Sequence, residues 1–191
     1  ERAVDLAKKA DVTLLFAGLD EFSEAEGLDR PDITMPANQV AVYKALKAAG
    51  CKVVLVLACG SAVYLDWARD ADAIVYAGLT GQAGAVAVLD AVCGKVNPSG
   101  KLAETWSAPE AVCASESYFP GKQMTCEYRE GPYVGYRYFD KTEKPVEFPF
   151  GFGLSYTKFE YSDLSADENG VTFTINNVGD CDGAEIAQMY V

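Results

Sequence analysis

Six acidic side chains, Asp20, Glu21, Glu24, Glu26, Asp29 and Asp32, crowd around one basic group, Arg30. Histidine is absent from the whole chain, which removes Ser-His-Asp and Cys-His catalysis, HExxH zinc sites and imidazole bases. Proton transfer must then fall to carboxylates, Lys, Tyr or Cys. Like-charge repulsion within the acidic run is expected to raise carboxyl pKa values, which suits an acid held protonated near neutrality. Gly27, next to Glu26, permits a tight turn and a close backbone approach to a ligand. The plainer alternative is a solvated charge run, because acids in loops are mostly exposed. Residue types alone do not choose among the six. Arg30 is suited to pinning the loop by bidentate pairing with a carboxylate, and neither it nor Asp29 is read as catalytic.

Three other groupings invite chemistry. Tyr128, Tyr133, Tyr136, Tyr138 and Phe139 could stack against the apolar face of a ring-shaped ligand, although large aromatics more often pack a core or a domain interface. Gly78-x-x-Gly81-x-x-Gly84 has the wrong spacing for a dinucleotide loop and no P-loop lysine, so tight strand-to-helix packing explains it better. The six cysteines (Cys51, Cys59, Cys93, Cys113, Cys126 and Cys181) match neither a metal knuckle nor a dense disulfide framework. Cys51, Cys59 and Cys93 lie in apolar segments, where a thiol acts as a small hydrophobe. That usage favours a reducing, cytoplasmic compartment. No metal and no cofactor is expected.

These side chains need a scaffold, and the hydrophobic periodicity supplies one. Ala3, Val4, Leu6, Ala7 and Ala10 make a helical stripe, and residues 12–17 form a buried strand ending at Gly18. After the acidic loop, Val40, Val42, Tyr43, Leu46 and Ala49 mark a second helix closed by Gly50. Residues 52–58 are an unbroken apolar strand, followed by a short helix around Tyr64 to Ala68, a strand over 73–77 and a helix that Thr80 to Gly84 opens and that runs through Val86 and Leu89 to Val92. Apolar strands alternating with helices predict an α/β fold, with a mostly parallel sheet and helices on both faces. Residues 106–155 read as loops and short strands. From Thr157 the period becomes two, around Phe159, Tyr161 and Leu164, then Val171, Phe173 and Ile175, then Ile186, Gln188 and Tyr190. Three antiparallel strands are predicted, too few to close a sandwich.

The 191 residues are half hydrophobic and carry a net charge of −12. That length buries one good core with a small appendix. An acidic surface repels phosphate backbones and anionic lipid, so neither nucleic acid nor membrane is an expected partner. The longest apolar run, Val53 to Cys59, falls far short of the roughly 20 residues a spanning helix needs.

Several segments together resemble glycoside hydrolase family 3. Glu26-Gly27-Leu28-Asp29-Arg30, with Ile33-Thr34-Met35-Pro36 and Gln39 after it, is similar to the family's E-G-x-D-R stretch and the helix that follows. Gly94 to Leu102 resembles its N-P-S-G turn, Tyr128 to Tyr138 its E-G-x-Y-V-G-Y-R-Y segment, and Phe148 to Tyr156 its P-F-G-x-G-L-S-Y motif. The resemblance implies that residues 1–156 are the family's α/β sandwich domain without its opening strand and helix, in a longer polypeptide. Residues 157–191 would begin a fibronectin III-like domain. It further implies a retaining β-glycosidase of the β-glucosidase type, acting on a terminal non-reducing β-linked oligosaccharide or glycoside. Glu26 matches the acid/base glutamate, while a (β/α)8 barrel domain of the same enzyme brings the nucleophile. Glu24 is the alternative acid, two positions away. A homo-oligomer is compatible with this reading. The competing reading is a non-catalytic carbohydrate-binding or scaffold module, and a receiver-like signalling domain ranks last because residues 128–156 have no place in it.

Overall fold

Aliphatic runs without a polar face are at home in parallel sheets, and three of them pair here. β1 (Thr13–Gly18), β2 (Val53–Ala58) and β3 (Ala73–Tyr76) form a parallel sheet in the order β1-β2-β3. The computed structural model describes residues 1–190. β2 is central, and Val53, Leu55 and Leu57 are fully buried. The helices α1 (Arg2–Ala7) and α2 (Ala37–Ala48) bring Ala7, Tyr43 and Leu46 onto the face that carries Leu15, Leu55 and Leu57. A single 3-10 turn at Asp66–Ala68 links β2 to β3, shorter than the helix expected there, and α3 (Gly84–Val92) follows β3. The α/β architecture is as the periodicity implied.

Polar side chains lock the ends of these elements. The Asp72 carboxylate accepts from the Val53 backbone N–H at 2.8 Å and from Lys47 Nζ at 2.9 Å, joining α2 to the start of two strands. Tyr43, edge-on to Trp67, donates to Asp70 at 2.7 Å. On the opposite sheet face Val56 is buried, but Phe16 is 61% exposed.

The aromatic middle of the chain wraps the end of the sheet. β4 (Trp106–Ser107) pairs antiparallel with β5 (Val146–Phe148), and buried Trp106 packs edge-on against Tyr76 of β3. Between them α4 (Tyr136–Thr142) buries Phe139 against Ala108 and Ala111. This helix escaped the sequence reading because aromatics at successive positions give no 3.6-residue stripe.

In the tail, β6 (Phe159–Asp167) and β7 (Gly170–Asn177) form a bulged hairpin. The third strand expected around Ile186, Gln188 and Tyr190 is not formed: residues 178–190 contain no strand. Their contacts go elsewhere. Asn97 Nδ2 donates to the Asp182 carbonyl, Lys101 pairs with Glu185, Gln188 Nε2 donates to the Gly151 carbonyl, and Tyr190 packs edge-on against Tyr136. These bonds draw the segment back over the α/β part instead of along β7.

A one-sided core predicts that Leu55→Ala costs about 2–5 kcal/mol in urea denaturation of the chain. Phe16→Ala should change stability by less than about 0.5 kcal/mol, and equal losses would contradict the packing. The hairpin has two open edges and leaves Phe173 and Ile175 over a third exposed. Hydrogen exchange should therefore be faster in β6 and β7 than in β1 and β2; equal protection would contradict that ranking.

Candidate functional site

The acidic loop leaves the sheet where β1 ends, and Gln39 in the first turn of α2 fixes that end. Its Oε1 accepts from the Gly18 N–H and its Nε2 donates to the Gly18 carbonyl, both at 2.9 Å. A Cβ at Gly18 would collide with the Ala58 carbonyl oxygen, so glycine lets β1 and β2 finish side by side. The loop 19–36 and the turn 59–65 after β2 therefore emerge together.

Within the loop, Ser23 donates to Asp20 through its backbone N–H (2.9 Å) and its hydroxyl (2.8 Å), closing a first turn. The Glu24 carboxylate then crosses to the neighbouring turn and accepts from the Gly60 backbone N–H, at 2.8 Å through one oxygen and 3.0 Å through the other. Residues 25–28 form a β-turn in which the Leu28 N–H donates to the Ala25 carbonyl at 3.3 Å. Glu26 and Gly27 are its corners, and the φ of +79° at Gly27 is what the third position of a type II turn requires. Arg30 closes the far side, donating from Nη1 to Ser61 Oγ at 2.8 Å and lying 3.8 Å from Glu24 Oε2. It pins the loop as its type foretold, chiefly through a hydroxyl in place of the expected bidentate carboxylate.

Glu26 is exposed at the apex, and its carboxylate makes no hydrogen bond or ion pair among the described residues. Glu24, Asp20 and Asp32 are engaged, whereas Glu21 and Asp29 are exposed and, like Glu26, have no side-chain partner among the described residues. Hydrogen bonds from Ser23 and from Thr34 hold the Asp20 and Asp32 carboxyls below their ordinary values, the reverse of the rise that crowding implied. The raised carboxyl lies outside the loop. Glu104, a lone acid between Leu102 and Trp106, accepts from the Ala62 N–H at 2.7 Å, and burial pushes it up against the opposing pull of that bond and of Arg30. Sequence reasoning missed it; an acid isolated in an apolar stretch was the available signal. Burial drives the fully buried Cys59 thiol up to about 11, which removes it as a nucleophile. Cys51 is also buried, whereas Cys93 is exposed.

A cleft of about 850 Å³ opens beside the foot of the loop, with Asp29, Arg30, Glu104, Tyr136 and Phe150 in its walls. Arg30 Nη2 and Thr105 Oγ1 are buried there without partners among the described residues. The aromatic segment builds no continuous stacking wall. Phe139 is buried, Tyr136 stacks on Phe150 at 5.0 Å, and Tyr128 is 87% exposed.

Residues 1–156 match the model of the glycosyl hydrolase family 3 C-terminal domain. The chain belongs to glycoside hydrolase family 3. It is similar to the thermostable β-glucosidase B of Acetivibrio thermocellus, with 43% identity over 100% of this chain and 27% of that protein. Against an exo-α-(1→6)-L-arabinopyranosidase of Bifidobacterium longum, identity is 42% over 99% of this chain and 26% of the relative. A crystal structure of a family 3 β-glucosidase from Bifidobacterium adolescentis superposes with a TM-score of 0.89 at 44% identity, covering 94% of this chain and 27% of that one. The chain thus spans about a quarter of the length of the relatives it matches.

Two of the family 3 motifs are tied to each other here. Asn97 of the N-P-S-G turn accepts from Ser155 Oγ at 3.0 Å and from the Tyr156 N–H at 2.8 Å, bolting that turn to the closing G-L-S-Y motif. The E-G-x-D-R loop differs in presenting a carboxylate outward.

Glu104 gives a pH test. Its folded carboxyl holds a proton more tightly than the ordinary value of 4.5, so its favourable contribution is complete below that value and is lost as pH rises through the raised one. Denaturant unfolding of the chain should show a decline in stability above pH 4.5 that Glu104→Gln, which cannot ionise, abolishes. Parallel pH profiles for the two proteins would contradict the burial of this acid.

Proposed function

We propose that this chain supplies the acid/base carboxylate, Glu26, of a retaining β-glycosidase that removes terminal non-reducing β-linked sugars. The nucleophile and most sugar contacts come from a (β/α)8 barrel of the same enzyme, and residues 157–191 begin a β-type domain. The β-glucosidase names of the relatives support the reaction class. The observation that carries the residue assignment is the contrast within one loop. Glu24 is bound to the Gly60 N–H, whereas Glu26 stands unpaired at the corner of a β-turn.

Retaining hydrolysis needs two carboxyl groups roughly 5–5.5 Å apart. While the barrel carboxylate attacks the anomeric carbon, Glu26 gives its proton to the glycosidic oxygen and the aglycone leaves as an alcohol. Glu26, now ionised, takes a proton from water as that water attacks the glycosyl-enzyme, releasing the sugar and restoring both groups. A carboxylate committed to a backbone N–H, as Glu24 is, cannot swing to both tasks without breaking its anchor. Alone, the chain has one of the two groups and hydrolyses nothing.

In the enzyme carrying the barrel, Glu26→Ala should slow cleavage of alkyl β-glycosides by roughly 10²–10⁴-fold. Dinitrophenyl glycosides, whose aglycone needs little protonation, should lose far less in that step and show a burst as the glycosyl-enzyme accumulates. Azide, a nucleophile needing no base, should restore turnover and give the β-glycosyl azide. Equal slowing of both substrate classes without azide rescue would return Glu26 to the solvated surface, and turnover by the isolated chain would refute the shared site.

A further inference from the structure

Glu24 and Arg30 flank the turn that carries Glu26, and both reach the same short segment, Gly60 to Ala62, beyond β2. Glu24 accepts from the Gly60 N–H through both oxygens (2.8 and 3.0 Å), and Arg30 Nη1 donates to Ser61 Oγ at 2.8 Å and to the Ala62 carbonyl at 3.5 Å. The two side chains are 19% and 14% exposed and lie 3.8 Å apart, so the anchor is a partly desolvated ion pair. From the other side Glu104 accepts from the Ala62 N–H at 2.7 Å, which prevents the anchoring segment from yielding. Gly60 itself is adapted to the contact: a Cβ there would sit 3.0 Å from Glu24 Oε1. A two-residue turn corner between two such anchors has little freedom to shift the carboxylate it displays.

We infer that Glu24 and Arg30 are positioning residues for the acid/base step, clamping the 25–28 turn to the segment after β2 so that Glu26 meets the glycosidic oxygen. This rests on the reading of Glu26 as the acid/base. A general acid must be within hydrogen-bond reach of the atom it protonates, and a displacement of about 1 Å is worth up to 10²-fold in rate. Loosening the clamp therefore harms the substrates that need protonation most. Glu24 does not substitute for Glu26, because its oxygens are committed to Gly60.

The test uses the enzyme that carries this chain together with its barrel, and aryl β-glycosides of graded aglycone acidity. Glu24→Ala should raise the ratio of the dinitrophenyl to the phenyl glycoside rate by about 10–10²-fold, chiefly through kcat and with no rescue by azide. Glu24→Gln, whose Oε1 still accepts from Gly60, should recover most of the loss. Arg30→Lys, which keeps the charge but loses the fork, should fall between the two, and both conservative variants serve where the alanine protein fails to fold. In a Glu26→Ala background, Glu24→Ala should add no further slowing on the phenyl glycoside, since the group it positions is gone. A fully additive penalty there, or an unchanged rate ratio in Glu24→Ala and Glu24→Gln, would overturn the clamp and leave Glu24 a fold-holding residue. Azide rescue of Glu24→Ala in place of Glu26→Ala would overturn the underlying assignment instead, so the two failures are told apart.

Discussion

Everything at the candidate site hangs on the parallel pairing of β1 with β2. The register runs without a break from Thr13 opposite Val53 to Gly18 opposite Ala58, so both strands stop at the same level. Two loops then leave the sheet side by side, and only because of this can Glu24 and Arg30 reach Gly60 and Ser61. The pairing is driven by burial: Leu55 and Leu57 are fully enclosed beneath Tyr43 and Leu46, and each such side chain contributes about 1.5–3 kcal/mol. Gly18 is the one residue that fits against the Ala58 carbonyl, and Gln39 satisfies both of its backbone groups. Core, strand end and loop form one continuous chain of constraint.

The electrostatics of the loop follow from this frame rather than from charge count. Six acids around one arginine read as mutual repulsion in the sequence, yet the fold gives Asp20 and Asp32 hydrogen-bond donors from their own turns. Glu24 finds a backbone donor and a nearby guanidinium. Desolvation, which a sequence does not display, acts on Glu104 instead. With Asp20, Glu24 and Asp32 pinned, the loop is locally ordered while Glu26 at the turn corner, like Glu21 and Asp29, keeps its carboxylate available to solvent.

The strands of the sheet were legible because their apolar runs have no polar face, and α2 because Val40, Tyr43 and Leu46 recur at helical spacing. α4 was not, since Tyr136, Tyr138 and Phe139 are sorted into core and surface only by the partners Phe150 and Ala108 offer them. The missing third tail strand has the same origin. Ile186, Gln188 and Tyr190 alternate as a strand would, but Gly151 holds Gln188 and Tyr136 packs against Tyr190. At the site, a family motif pointed to Glu26 and left Glu24 two positions away as the alternative. The difference between them is a single backbone N–H on a loop 36 residues further along, and nothing local to the acidic run encodes it.

The central claim is that the fold presents Glu26, and not Glu24, to a second carboxylate contributed by a barrel. A crystal structure of the barrel-bearing enzyme, trapped as its glycosyl-enzyme with a slow fluorosugar, measures this directly. The account predicts the Glu26 carboxylate roughly 5–5.5 Å from the glycosylated carboxylate, with Glu24 still bound to the Gly60 N–H. Glu24 at that distance, with Glu26 turned to bulk solvent, would contradict it.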